Sequence, residues 1–294
     1  GDGLQHNKIK DLKNLILQKN VKCLDQVELT DFSSKEEKIN NFELQKLSEK
    51  TKYKLKNYDW GIPVRYRDIE KMINLFDHPL IEIHLSSKDL EYPLRKINRS
   101  LINKRKIVVH AIEQYHDGFI FDLSSNSKII TQESLNRLND FSDHCKKIRD
   151  EFQYSDEIRI ILNCGGFSKY DFLTNKEVKE KEAILIENLI KSKEILKECK
   201  ILPQTMPPFP WHHGGRSFHN LLRSTESLIE INKNTGLSIC LDFSHTYMEC
   251  IYTNKDFITE FEKLIKLSNH LHISDSNNSS NEGLNINEGS INFY

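Results

Sequence analysis

The sequence is short of several things at once. Its 294 residues hold 7 prolines, 11 glycines and 2 tryptophans, and no apolar run extends beyond four or five residues. A membrane-spanning helix needs about 20 apolar residues in succession, so no span is visible, and no basic segment followed by an apolar one marks a signal peptide. An excess of one charge is also lacking. Lys+Arg number 42 and Asp+Glu 43, a formal net charge of -1, with the signs interspersed along helical segments. No basic stripe exists to neutralise phosphates, which disfavours a nucleic-acid partner. The 6 cysteines contain no CxxC pair or regular spacing, which argues against a zinc ribbon or a disulfide framework. Cys240 is expected to pack as a small apolar residue. The expectation is a soluble, cytoplasmic chain large enough for one barrel and a small appendage.

Against that scarcity stands ILPQTMPPFPWHHGGRSFHN, residues 201–220, with four of the prolines, two glycines and three of the 12 histidines. Prolines fix φ and remove donors, so this is an ordered loop, and ordered loops commonly hold something. From residue 58 onward, short β-rich runs alternate with longer segments of helical period, the pattern of a parallel sheet with crossover helices. Seven runs are found, at 60–65, 80–85, 106–111, 158–163, 199–204, 237–242 and 270–275. Helical periods recur at 66–76, 133–152, 175–196 and 255–268. This predicts a TIM (β/α)8-type barrel lacking its last unit, over residues 58–294. Residues 1–35 read as a separate small piece, and 36–57 as a charged linker with little to bury.

The active site of such a barrel lies at the C-terminal ends of its strands. There the sequence places Glu82 and His84, His110, Asn163, Gln204, Asp242 and His272. Alternation along a strand puts Glu82 with His84, and His270 with His272, on one face. One strand-terminal histidine is usually structural. A carboxylate, imidazole or amide at the end of six successive runs is harder to explain that way, since unpaired burial costs about 1–3 kcal/mol each. The spacing of Asp242 and His245 suits a divalent cation with an imidazole beside it, and HISD precedes an acidic loop with Asp275, Glu282 and Glu288.

The order LSICLDFSH, HLHISD and EGLNINEGSINF resembles the xylose isomerase-like TIM barrel superfamily of sugar phosphate isomerases, epimerases and apurinic endonucleases. More narrowly, the 201–220 stretch, EQYHDGFIFDLSS and NCGGFS resemble a barrel on the C-terminal side of sialic acid synthase-like proteins. NLILQKNVKCLDQVELTDF is similar to the end of the SAF domain of such synthases, which makes residues 1–35 an SAF-like remnant and a linked condensing domain a possible covalent partner. The superfamily resemblance implies one divalent metal (Mn, Mg or Zn) held by carboxylates and an imidazole. Asp242 and His272 match that set, Gln204 stands where a glutamate is expected, and no strand-eight glutamate has a counterpart. The site then reads as follows: Glu82, His245 and Gln204 catalytic; His84, His110, Asn163, Trp211, His212 and Arg216 contacting a sugar or sugar acid; Asp242, His272 and Gln204 on the metal. His213 and His219 are expected over the same pocket. A sugar isomerase or epimerase with an altered metal site, in sialic-type acid biosynthesis, and a non-catalytic sugar-binding or scaffolding domain remain the two alternatives.

Overall fold

The β-branched runs become parallel strands for a reason visible in their parity. In the computed structural model, which describes residues 59–210 and 218–293, the second run forms β2 (Leu80–His84). Its odd-numbered residues Ile81 and Ile83 join the main hydrophobic core. Its even-numbered residue Leu80 belongs instead to a second, inner cluster with Val108, Ile161, Leu202 and Cys240. Each of those four comes from a different strand: β3 (Lys106–His110), β4 (Ile158–Leu162), β6 (Cys199–Pro203) and β8 (Ile239–Asp242). Each of these five strands thus turns one face to the helices and the other into a shared interior, the arrangement of a barrel. Cys240 is fully buried in that interior as a small apolar residue.

Register completes the picture. β1 (Gly61–Val64), β2, β3, β4 and β6 pair in parallel in that order. A bridge between Gln204 and Cys240 carries the sheet on to β8, which pairs with β9 (Ser268–His272). Seven parallel strands result among the described residues, each overlapping its predicted run with ends no more than three residues away. Among the described residues no strand pairs β9 with β1, and the chain after β9 forms an antiparallel hairpin, β10 (Asp275–Asn277) and β11 (Ser280–Leu284). The N-terminal piece at 1–35 and the linker lie outside the described residues.

The four predicted helices occur as Ile69–Phe76, Lys128–Phe152, Asn175–Ile195 and Phe257–Leu264. Besides the single turn Arg99–Ile102, two more were not foreseen among the described residues, Thr225–Thr235 and Phe243–Thr253. The helix at Phe243–Thr253 begins directly after β8 with no loop, because Asp242 is both the last strand residue and the helix N-cap. Two short antiparallel segments, β5 (Phe167–Ser168) and β7 (Phe218–His219), tie the loop after β4 to the end of the proline-rich loop. Gly165 and Gly166 make the first of these loops possible, with φ of 84° and 97°. A Cβ on Gly165 would fall 2.3 Å from Asp122 Oδ1.

Two histidines are sealed into the wall. His78 hydrogen-bonds the Leu80 carbonyl, and His144 Nε2 meets the Tyr66 hydroxyl at 2.8 Å. Burial pulls both pKa values down to about 4. An unfolded chain takes up these protons below about pH 6.5 whereas the fold resists until about pH 4, so stability falls as pH drops through that window. Each histidine is expected to remove about 2 kcal/mol between pH 7 and pH 5. Urea unfolding of the wild type and of His144→Gln at the two pH values checks this, the variant showing the smaller loss.

Candidate functional site

Above the inner apolar layer, the same inward parity delivers Glu82 and His84, His110, Asn163, Gln204, Asp242, and His270 and His272. A cavity of about 460 Å³ opens over them, lined by His84, His110, Asn163, Gln204, Asp242, His245 and His272 among others. Glu82 lies beneath this cavity and does not line it. His84 Nε2 is 2.5 Å from Glu82 Oε1, His270 Nε2 2.8 Å from Oε2, and His272 Nε2 3.0 Å from Oε1. Burial opposes ionisation of this carboxyl, but the charge of His272 and the hydrogen bonds from His270, His272 and His84 outweigh it and hold its pKa well below the usual range.

His272 faces a second carboxylate with its other nitrogen, Nδ1 lying 3.4 Å from Asp242 Oδ2. Burial lowers the imidazole pKa, and Cys240, Glu82 and Asp242 raise it by more. The Cys240 thiol is itself pushed up by burial and neutral at ordinary pH, so the two carboxylates are the physical cause.

Asp242 divides its oxygens between two tasks. Oδ1 caps the helix, accepting from His245 N at 3.0 Å and Ser244 Oγ at 2.8 Å. Oδ2 is left facing Gln204 and His272. The spacing of Asp242 and His245 is therefore that of an N-cap and its third residue, and it carries the imidazole to the cavity wall. His245 Nδ1 is 2.7 Å from the Thr205 carbonyl, to which it donates, and Nε2 is 2.8 Å from Glu282 on β11. Burial lowers the His245 pKa, but Asp242 and then Glu282 more than reverse this and hold it at about 9.

Gln204 sits between the imidazoles. In this rotamer its Oε1 is 3.0 Å from His110 Nε2, and its Nε2 is 3.2 Å from His272 Nδ1 and 3.4 Å from Asp242 Oδ2. His110 Nδ1 donates to the Ala111 carbonyl at 3.1 Å, and burial together with the charge of His84 lowers its pKa. A neutral His110 with its proton on Nδ1 offers a lone pair at Nε2, which calls for a donor. Turning the amide end for end meets that demand and brings Oε1 to Asp242 and His272. The three atoms are 3.2, 3.4 and 3.4 Å apart. A cation about 2.1 Å from each donor would see them about 3.0 Å apart at right angles and about 3.4 Å apart at tetrahedral angles. The donor set fits a divalent ion. A separate set, Glu82, His270 and His272, brings three ligand atoms within 4.8 Å of one another.

Of the remaining predicted contacts, His84 and His110 lie side by side on the cavity wall, ring centroids 4.6 Å apart and planes tilted by 33°. Asn163 is buried against the cavity, and its Nδ2 has no partner among the described residues. Trp211, His212, His213 and Arg216 lie outside the described residues. His219 is not over the pocket. The β5–β7 pair pins it in the wall, fully buried, its ring edge-on to Phe167 at 4.5 Å. The acidic loop after β9 also divides. Asp275 is fully buried and accepts the amide hydrogens of Ser276, Asn287, Gly289 and Ile291, folding the hairpin that presents Glu282. Glu288 stays exposed in a turn. Arg65 was not foreseen. It lines the cavity and donates to the His84 carbonyl and Asp89. Its inward parity with Gly61 and Pro63 was a readable signal.

A family model described as xylose isomerase-like TIM barrel matches residues 72–294. Solved structures similar to this chain include D-psicose 3-epimerase in the presence of D-fructose, at a TM-score of 0.51 and 13% identity over 72% of each chain. D-allulose 3-epimerase from Methylomonas sp. follows at 0.50 and 12% identity, covering 74% of this chain and 67% of its own. L-ribulose 3-epimerase aligns at 0.49 and 15% identity, over 78% of this chain and 73% of its own. At such identities the likeness shows the fold alone. No curated protein sequence matches.

The His245 environment gives a measurable outcome. A histidine whose pKa is raised on folding stabilises fully below its unfolded value of about 6.5, and that stabilisation is lost as pH rises through about 9. Glu282→Gln removes one of the two supporting charges. NMR titration of the His245 ring should therefore show a lower pKa in the variant, and the stability decline between pH 6.5 and pH 9 should become shallower. An unchanged His245 titration would contradict the assigned contact.

Proposed function

The chain belongs to the xylose isomerase-like TIM barrel family, and from that premise we propose that it is a sugar or sugar-acid isomerase or epimerase with an altered divalent-metal site. The observation that carries this reading is the convergence of Asp242 Oδ2, His272 Nδ1 and the Gln204 amide at 3.2–3.4 Å on the floor of the cavity. Those residues would hold the ion, and bound there it would polarise a substrate carbonyl and lower the barrier to losing the adjacent C–H proton. The amide in place of a carboxylate leaves the set less anionic, so Mn²⁺ or Mg²⁺ is held more weakly than by two carboxylates.

The chain's own groups supply the rest. Asn163 Nδ2 donates to a ligand oxygen, and Arg65 offers a cation to an acidic substituent. His245, its Nδ1 proton fixed on the Thr205 carbonyl, exchanges a proton at Nε2 with Glu282 beside it. Glu82 does not reach the cavity, and its part is to orient His84 and His272 from below. The loop from Pro203 supplies Met206 and Pro210 to the cavity wall, and Trp211, His212 and Arg216 in the same stretch are assigned to substrate contact in this reading. The resemblance of that stretch to the barrel of sialic acid synthase-like proteins supports an amino-sugar or sugar-acid substrate in sialic-type acid biosynthesis.

Gln204 also favours a second reading, a pocket that binds sugar without turnover. One experiment separates them. With Mn²⁺ present, the enzyme should catalyse exchange of a substrate C–H with D₂O, followed by NMR, for a ketohexose or an amino-sugar panel. Asp242→Ala should abolish both the exchange and calorimetric Mn²⁺ binding. Sugar binding with no exchange would favour the non-catalytic pocket, and Mn²⁺ binding unaltered by Asp242→Ala would sink the metal assignment.

A further inference from the structure

His272 presents one ring nitrogen to each of two different donor sets. Nδ1 faces Asp242 and Gln204, an oxygen-rich pair. Nε2 faces Glu82, together with Nε2 of His270 and Nε2 of His84. We propose that this inner cluster, Glu82 with His84, His270 and His272, is a second metal position, selective for a zinc-class cation, and that it competes with the outer position through the shared imidazole.

The donor chemistry separates the two. Two imidazoles and one carboxylate, His270, His272 and Glu82, make a nitrogen-dominated set of three gathered donors, and His84, in contact with Glu82, is the nearest fourth donor for the tetrahedral shell zinc prefers, whereas Mn²⁺ and Mg²⁺ prefer oxygen. The atoms are already gathered. The nitrogens of His84, His270 and His272 lie 2.5, 2.8 and 3.0 Å from the Glu82 oxygens, and the Glu82, His270 and His272 donors fall within 4.8 Å of one another. One or two donors would satisfy a buried carboxylate. Three imidazole Nε2 atoms aimed at the same group are the beginnings of a coordination shell. The site is reachable, because His84 and His272 line the open cavity. Asp242 Oδ2 also stands 3.4 Å from His272 Nδ1, placed to accept its proton and so to fix the ring's orientation.

Competition follows from imidazole chemistry. A neutral ring has one proton and one lone pair. A cation on Nε2 confines the proton to Nδ1, where it points to Asp242 and removes a ligand from the outer position. A cation on Nδ1 confines the proton to Nε2, where it donates to Glu82. The two ions therefore exclude each other, and the effect must be reciprocal. The inner site stands independently of the proposed function, and only the competition rests on the outer position assigned there.

The test uses the whole protein stripped of metal by a chelator. Zn²⁺ binding is followed by calorimetry, Co²⁺ by the intense visible absorption of a tetrahedral complex, and Mn²⁺ with and without one equivalent of Zn²⁺. The expected result is one Zn²⁺ per chain, a tetrahedral Co²⁺ spectrum, and Mn²⁺ affinity that weakens when Zn²⁺ is present. His270→Gln should weaken Zn²⁺ by roughly 100-fold or more and lift the competition, leaving Mn²⁺ binding as before. His84→Ala, at a ring about one-third exposed, provides a second variant that tolerates substitution should His270→Gln fail to fold, and it should also lose Zn²⁺ affinity and the tetrahedral spectrum. No Zn²⁺ bound by the wild type, or Zn²⁺ bound equally by a folded variant, overturns the inner site. Zn²⁺ and Mn²⁺ bound together without mutual effect overturns the sharing of His272. Mn²⁺ that fails to bind even without Zn²⁺ overturns the competition and the outer position, while a His270-dependent Zn²⁺ site upholds the inner one.

Discussion

The Glu82 carboxylate is the interaction on which the interior depends. It comes from β2, and two of its partners, His270 and His272, come from β9. Among the described residues no ladder of backbone hydrogen bonds joins β9 to β1, so these side-chain bonds are what tie the last parallel strand across the barrel to the second. Taking a carboxylate out of water costs several kcal/mol, repaid only when its oxygens are fully hydrogen-bonded and paired with charge. Three imidazoles meet that requirement. The same bonds fix the ring planes of His84 and His272, and the floor of the cavity inherits its geometry from a group that never reaches it.

Parity made most of the fold legible. A strand buried on both faces shows no alternation of polarity along most of its length, yet each of these strands ends on a polar residue facing inward. Leu80, Glu82 and His84 in one run state the rule: apolar at the bottom of the barrel, then carboxylate, then imidazole. The β-rich runs located the strands, and their polar ends located the ring of site residues. The helix at Phe243–Thr253 escaped because a strand that turns into a helix without a loop leaves no punctuation in the sequence, and because Asp242 was read as a ligand rather than as a cap. In the structure one oxygen caps the helix and the other faces Gln204 and His272.

Contacts between distant segments were less readable. Nothing local to Glu282 distinguishes it from Glu288, six residues further along the same acidic loop: both are glutamates between asparagine and glycine. They are separated by Asp275, whose carboxylate gathers four backbone amides and decides which part of the hairpin faces the cavity. His219 was misplaced for a similar reason. Its neighbours in sequence belong to an exposed-looking loop, while its partner Phe167 lies more than fifty residues earlier and brings it into the wall.

The amide at 204 sets the balance of the whole cluster. Four ionisable groups surround it, His110, Asp242, His272 and, through His272, Glu82. A carboxylate there would add a third negative charge to the two already buried and would demand a cation to remain ionised. A glutamine adds none, and it can turn either end to either neighbour: the oxygen toward His272 and Asp242 when a positive charge lies between them, the amino group toward the lone pair of a neutral His110. The cluster can therefore stay closed and hydrogen-bonded with a proton in the place where a metal would sit. A less anionic cluster and an interior whose polar groups stay hydrogen-bonded are two consequences of the same amide.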